Sequence, residues 1–351
     1  MAYSDIKDPS AHFQAFTYTG TGSNNSITLN GNSNLQPDLY WYKSRSNTNY
    51  HYLVDSNRGT TKYLYPNDAL AEGTVASAYL TSFDTTGVTL GGGDSGTNTN
   101  GTSFANWVWK ANGGTTSSNT DGSVTSTVQA NTTAGFSIVT YSSDNTSSET
   151  IGHGLGAEPQ VVLVKRRNSA NRDWSMYHKS LGNTQYIQLN EDFAAVTSSA
   201  WWNDTSPTSS VFTVGTGNNS RVNSSSQIAF CFAEKQGYSK FGKYVGNGFA
   251  NGPFVYTGFK PAFVMVKSIA ATGSWRIWDS ARDPFNDANN TLHANRDTAE
   301  NAHGSDGADI LSNGFKARDT GSWHNSSGVS YIYMAFAENP FVAGGVPTTA
   351  R

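Results

Sequence analysis

Three stretches of this chain end in the same kind of apolar run. They read NWVWKANGG at 106–114, IAFCFAEKQG at 228–237 and YMAFAENPF at 333–341. Aligned on Trp109, Phe232 and Phe336, they carry further landmarks upstream in a fixed order. An aromatic residue, Tyr18, Tyr141 or Tyr244, precedes each anchor by 91, 91 and 92 residues. A proline-led run follows it: PDLYWYK from Pro37, PQVVLVK from Pro159 and PAFVMVK from Pro261, placed 72, 73 and 75 residues before the anchors. Each of these runs has a lysine six positions after its proline. Next come HYLVDSNRG, WSMYHKSLG and WRIWDSARD, and then the short runs GVTL, VFTV and GFKA. Recurrence of ordered landmarks at near-constant spacing marks a repeat architecture. The chain therefore reads as a triplicated unit of about 100 residues. NWVWKANGG is its most diverged copy. Glu234 and Glu338 close copies two and three but have no counterpart in copy one, which argues against a shared catalytic carboxylate.

The expected boundaries are 13–111, 135–238 and 239–341, with a short arm at 1–12 and a tail at 342–351. Residues 112–134, rich in Ser, Thr, Gly and Asn, read as a flexible or extended linker. The second and third units nearly abut, so a tighter contact is expected there.

Each unit reads as β-structure. Proline cannot donate to a ladder and suits the start of a strand. The runs after it, such as Val161-Val162-Leu163-Val164, are apolar at every position, as in a strand covered on both faces. Apolar and aromatic runs of four to eight residues recur between Gly, Asn and Ser turns, and no long stretch shows helical periodicity. The expected fold is all-β: three tandem antiparallel β-sandwich domains, jelly-roll-like. Charged residues make up only 14% of the chain, so the sheet edges have few charges to protect them. Homo-oligomerisation or packing into a larger assembly is the expected remedy.

The net charge of −3 gives no basic face for nucleic acid. Lys165-Arg166-Arg167 reads as a solvated strand end. The N-terminus lacks the pattern of a secretory signal, and no apolar run has the length of a membrane span. Cys231, the one cysteine, lies in an apolar run and reads as a small buried hydrophobe. Gly93-Asp94-Ser95-Gly96 has the letters of a serine-protease nucleophile loop but lacks a His and Asp in the matching context, and reads as a loop. The seven histidines form no zinc pattern, and no carboxylates are paired as in a glycosidase. No catalytic residue, metal or cofactor is expected.

The remaining candidates are contact residues. Trp201 and Trp202 in SSAWWNDTS, and Trp323 in TGSWHNSS, combine ring faces with Asn, Asp and Ser, as a glycan or surface contact requires. Set against this, rings in such loops can fold back as anchors. Trp174, Trp275 and Trp278 occupy repeat landmarks and read as core. In the arm, Asp5, Ile6 and Lys7 form a plausible docking peptide.

The closing run YIYMAFAENP and the run GLGAEPQVVLVKRR resemble structural proteins of tailed bacteriophages, particularly marine and cyanobacterial phages. The resemblance covers all three units, with copy one departing in its last strand. It implies a non-enzymatic virion protein assembled in the host cytoplasm: a tail-fibre, tail-associated or head-decorating part. It supplies no active-site residues. With no long stalk in the sequence, a short fibre, spike or accessory part serving host attachment is expected. Capsid decoration and a carbohydrate-binding adhesin are the alternatives. Other virion proteins, and a host cell-surface glycan for the Trp loops, are the partners this implies.

Overall fold

A computed structural model describes residues 4, 6–75, 79–92, 96–143, 148–219, 225–301, 307–321 and 323–340, and the backbone alone at 302, 342–343 and 346–347. Among them the regular secondary structure is almost wholly antiparallel strand. Helix is confined to the turn Ser199–Trp202 and the 3-10 turn Pro9–Ala11.

One sheet order occurs three times. An opening strand (Phe13–Thr19, Phe136–Ser142, Ser239–Val245) pairs with a closing strand (Ser103–Trp109, Ser226–Phe232, Ser330–Pro340). The closing strand pairs on its other side with the proline-led strand (Leu39–Ser44, Val161–Arg166, Phe259–Ser268). A flanking strand (Tyr52–Asp55, Ser175–His178, Arg276–Asp279) completes the four. The sequence landmarks coincide with the register. The residue two after each proline faces the anchor: Leu39 opposite Trp109, Val161 opposite Phe232 and Phe263 opposite Phe336.

Alternate residues of a strand point to opposite faces, and here both faces are covered. On one face, the Trp41, Leu163 and Met265 side of the proline-led strands joins a single buried cluster drawn from all three repeats. The three anchors meet in it. Ring centroids lie 5.5 Å apart for Trp109 and Phe336, 5.7 Å for Phe232 and Phe336, and 6.3 Å for Trp109 and Phe232. The alternate residues, such as Tyr40, Val162 and Val264, enter three separate clusters. Each is closed by a smaller outer sheet: Asn25–Thr28 with Gly87–Leu90 and Leu80–Asp84; Glu149–Gly152 with Val211–Val214; and Phe254–Tyr256 with Gly314–Ala317 and Ala308–Leu311. The result is a set of β-sandwiches whose larger sheets face inward on one shared core. The contact between the second and third repeats is one of three such contacts.

Residues 112–134 correct the sequence expectation. Instead of a linker they contain two strands, Ser117–Asn119 and Ser126–Asn131, which add to the edge of Phe136–Ser142. Val128 packs in the cluster of the second repeat, while Ser126 and Gln129 are buried polar residues. Few apolar residues are needed because Ser126–Asn131 lies one strand in from the sheet edge and its polar groups are bonded: Ser126 Oγ donates to Gly152 O at 2.7 Å.

Candidate functional site

The residues expected to make surface contacts fall into different environments. Trp202 is 2% exposed and packs edge-on against Tyr177 in the cluster of the second repeat. It is an anchor of the short helix and offers no ring face to a ligand. Trp201 is half-buried. It stacks on Tyr186 at 3.9 Å with 3° between the planes, and its Nε1 donates to Ser175 Oγ at 2.7 Å. Trp323 is engaged by two cations, with the guanidinium carbons of Arg276 and Arg296 at 4.1 and 4.9 Å from its ring centre. Such contacts lie within cation–π range, so this ring is already used to hold its own loop. Trp174, Trp275 and Trp278 are buried.

In the arm, Ile6 is 3% exposed and belongs to the shared core. Ser4 Oγ donates to Ile6 O at 2.5 Å and lies 3.3 Å from Gln236 O. This segment is thus folded into the body, which removes Ile6 from the expected docking peptide. Lys7 is exposed, and Asp5 lies outside the described residues. So do Gly93, Asp94 and Ser95 of the glycine-rich loop. Cys231 is buried, and burial pushes its thiol pKa up.

The seams between repeats hold the most ordered polar chemistry. Lys43, Lys165 and Lys267, the lysines of the proline-led runs, are all fully buried. Lys43 Nζ donates to Ser44 O and Asn47 O at 2.6 and 2.9 Å. Lys165 Nζ donates to Arg172 O. Lys267 Nζ reaches across to the second repeat and donates to Asp192 O and Phe193 O at 3.1 and 2.9 Å. Lys165 is thus not part of a solvated strand end. Burial lowers each of the three to a pKa of about 8, against the opposing pull of acidic neighbours.

These lysines have a measurable consequence. A folded-state pKa below the unfolded value of 10.5 means that the unfolded chain binds more protons between about pH 8 and that value, so stability rises with pH across the interval. Buried tyrosines act oppositely. Burial holds Tyr40, Tyr141 and Tyr244 well above their ordinary 10.0, so unfolding releases their protons above that pH and stability falls. The thermal midpoint is therefore expected to climb from pH 8 to near pH 10 and then turn down. Scanning calorimetry at constant ionic strength checks this, and a flat or falling midpoint from pH 8 to 9.5 would contradict it.

Beside the lysines lie two ion networks. Arg58 bonds Asp55 at 2.6 Å and Glu72 at 2.8 Å, and Glu72 is also held by Arg167 of the second repeat at 2.6 Å. Arg282 bonds Asp279 at 2.6 Å and Glu300 at 3.0 Å, and Glu300 is also held by Arg45 of the first repeat at 2.6 Å. Burial pushes the Glu300 carboxyl up, but its bond to Arg45 and the charge of Arg282 more than offset this and leave its pKa below the usual value. At the third seam the equivalent positions are His178, Leu181, Ala195 and Ile269. The backbone contact there is kept: Ala195 N donates to Ile269 O at 3.0 Å, as Glu72 N does to Arg167 O at 2.8 Å and Glu300 N to Arg45 O at 2.7 Å. His178 is buried with Nε2 3.2 Å from Tyr333 O, and burial lowers its pKa to about 4, leaving it neutral. One seam has replaced its charges together.

The outer sheets differ at their solvent faces. In the first repeat the face carries hydroxyls, with Ser26 Oγ 3.0 Å from Thr89 Oγ1. In the third it carries aromatics. Phe254 is 46% and Tyr256 51% exposed, and they stand two residues apart on the edge strand. The register sets Phe254 beside Lys316 and Asp309, and Tyr256 beside Gly314 and Leu311. Gly314 keeps the row flat, since a Cβ there would lie 2.1 Å from Val255 O and 3.0 Å from the Phe254 ring. Phe249 in the preceding loop is 69% exposed. The sequence does not mark this aromatic shelf, because FVY has the letters of a buried strand. Only the structure shows the alternation, with Val255 alone of the three buried.

Among the described residues, no group of three or more His, Cys, Asp or Glu is placed to hold a metal ion. No helix among them is long and apolar enough to cross a membrane. Comparison with known families gives one match, described as a domain of unknown function (DUF7483), over residues 8–340. The chain belongs to the DUF7483 family. The match spans all three repeats of this DUF7483 chain as one domain. No curated protein and no solved structure matches it.

Proposed function

We propose that this DUF7483 protein is a non-enzymatic structural protein of a tailed-phage virion. It is a tail-associated part, a short fibre, spike or accessory, that serves attachment to the host surface. In this reading the chain consists of three jelly-roll-like units and assembles with other virion proteins as a homo-oligomer. Support comes from the phage-like closing and proline-led runs. The observation that carries the reading is the shared core. It holds three sandwiches in one body and turns their outer sheets to solvent, with hydroxyls on that of the first repeat and, on that of the third, an aromatic shelf suited to stacking and apolar contact.

The test is location, copy number and adsorption. Quantitative mass spectrometry and gold-labelled imaging of purified particles are expected to find a few to tens of copies at the tail. Phe254→Ala/Tyr256→Ala particles are expected to carry the protein normally and adsorb to host cells at least about tenfold less well, the scale of a lost aromatic contact. Hundreds of copies over the head would identify a decoration protein instead. Absence from particles would reject the virion reading.

A further inference from the structure

Three equivalent opening strands show three different treatments of one backbone site. In the second repeat, Phe136–Ser142 is covered on its outer edge by Ser126–Asn131, with Ile138 opposite Gln129 and Thr140 opposite Thr127. In the third, the equivalent of Ile138 is Phe241, whose N–H donates to Glu234 Oε2 at 3.3 Å. In the first, the equivalent is Ala15. Lys110 N donates to His12 O and Gly20 N to Thr102 O, so the even-numbered residues of Phe13–Thr19 bond the closing strand. Alternation in an antiparallel ladder then turns Ala15 and Thr17 outward, and among the described residues this strand has no second partner strand.

That edge borders a groove of about 510 Å³ at the seam with the third repeat, walled there by Ala262, Ser280, Ala281 and Ala337 among others. The same four positions at the seam between the first and second repeats are Asp38, Ser56, Asn57 and Lys110, and all four touch the covering strand. Gln129's amide lies 3.1 Å from both Asp38 Oδ1 and Ser56 Oγ. Asn57 Nδ2 is 3.4 Å from Thr127 O, and Asn131 Nδ2 donates to Lys110 O at 3.2 Å. The positions that grip a strand at one seam line an open groove at the other.

We infer that this groove accepts an extended peptide strand of a partner polypeptide, paired antiparallel to Phe13–Thr19 as Ser126–Asn131 is paired to Phe136–Ser142. Addition of a strand to an open edge uses main-chain bonds for affinity and side-chain pockets for specificity. The floor sets the specificity. Ala15 replaces Ile138 and Ala262 replaces Asp38, so the site opposite Ala15 is deeper and lacks the Asp38 carboxylate, while Glu338, which also lines the groove, is paired with Lys260 at 2.7 Å; the site takes a bulky apolar side chain where the internal strand has Gln129. One position along, Phe16 replaces Val139, so the guest residue that corresponds to Val128 is small. The inference is independent of the virion reading, because it rests on the chain's own filled seam.

The test uses the full chain and two labelled synthetic peptides. One has the sequence of residues 124–131; the other is the same with V128A and Q129L. Fluorescence anisotropy is expected to show saturable binding, with the altered peptide tighter by about tenfold or more, the equivalent of one well-filled apolar site. Ala15→Pro removes an N–H that faces the groove and not the closing strand, a placement proline tolerates at sheet edges. It is expected to abolish binding with the circular dichroism spectrum unchanged. Ala262→Asp, which restores the polar floor of the filled seam, is expected to reverse the preference between the peptides and carries the test if Ala15→Pro does not fold. No saturable binding at millimolar peptide would overturn the inference. Self-association that competes with peptide binding would overturn it too, by assigning the groove to a second copy.

Discussion

Phe336→Ala is expected to lower the stability of the whole chain by about 3–5 kcal/mol, the usual cost of deleting a buried aromatic ring, and to do so in one cooperative transition. The ring of Phe336 lies 5.3 Å from Phe13, 5.5 Å from Trp109, 5.7 Å from Phe232, 5.6 Å from Phe241 and 6.2 Å from Phe263. Those partners come from all three repeats. Truncation thus opens a cavity that no single repeat can close by relaxing alone. Three independent domains on a string would behave differently: the third repeat would melt early and the other two would keep their midpoint. Scanning calorimetry separates the cases. A split transition with an unmoved upper component would refute the shared core as the source of stability.

Arg282→Ala is expected to cost a similar amount, about 3–5 kcal/mol, because it leaves buried Asp279 without its cation and takes one of two cations from Glu300. Arg282 has no side-chain exposure; Asp279 has 1% and Glu300 10%. Arg45 still holds Glu300, but Asp279 loses its cation and keeps only neutral donors, the indole N–H of Trp107 at 3.0 Å and the backbone N–H of residue 282 at 2.9 Å. The third seam suggests a rescue. Transplanting its residues as Asp279→His, Arg282→Leu, Glu300→Ala and Arg45→Ile removes the whole network together. This fourfold variant is expected to be more stable than Arg282→Ala, since replacing a buried ion network by apolar groups is often neutral whereas breaking one is not. Urea unfolding of the two variants checks this. A fourfold variant that loses more than the single one would show the four positions to be uncoupled.

Much of the architecture is legible in the residues alone. Proline, lysine and the aromatic anchors keep their spacing because each holds a fixed place in a ladder, and moving one by a residue would turn it to the other face. Thus Leu39, Val161 and Phe263 all come to lie opposite their anchors. Residues 126–131 were not legible. STVQAN is a poor strand by composition, and only the neighbouring edge of Phe136–Ser142 makes it one. The tryptophans of the polar loops were legible as rings but not as contacts. Whether Trp201 meets a ligand or Tyr186 depends on a strand that lies fifteen residues earlier.

Residue pattern alone specifies the all-β class, the order of the landmarks and the runs that must be covered on both faces. It could not name what covers them. Val161–Val164 needs two apolar neighbours, and composition is blind to whether the second is a sheet of the same repeat or of another. Tertiary structure decided that the three larger sheets bury a common face, that the lysines of the proline-led runs face the seams, and that one groove is filled by the chain itself while its counterpart is left open. The reason is physical. Strand formation follows from local pattern and pairing, whereas burial of the remaining face is settled by which long-range partner presents a matching surface.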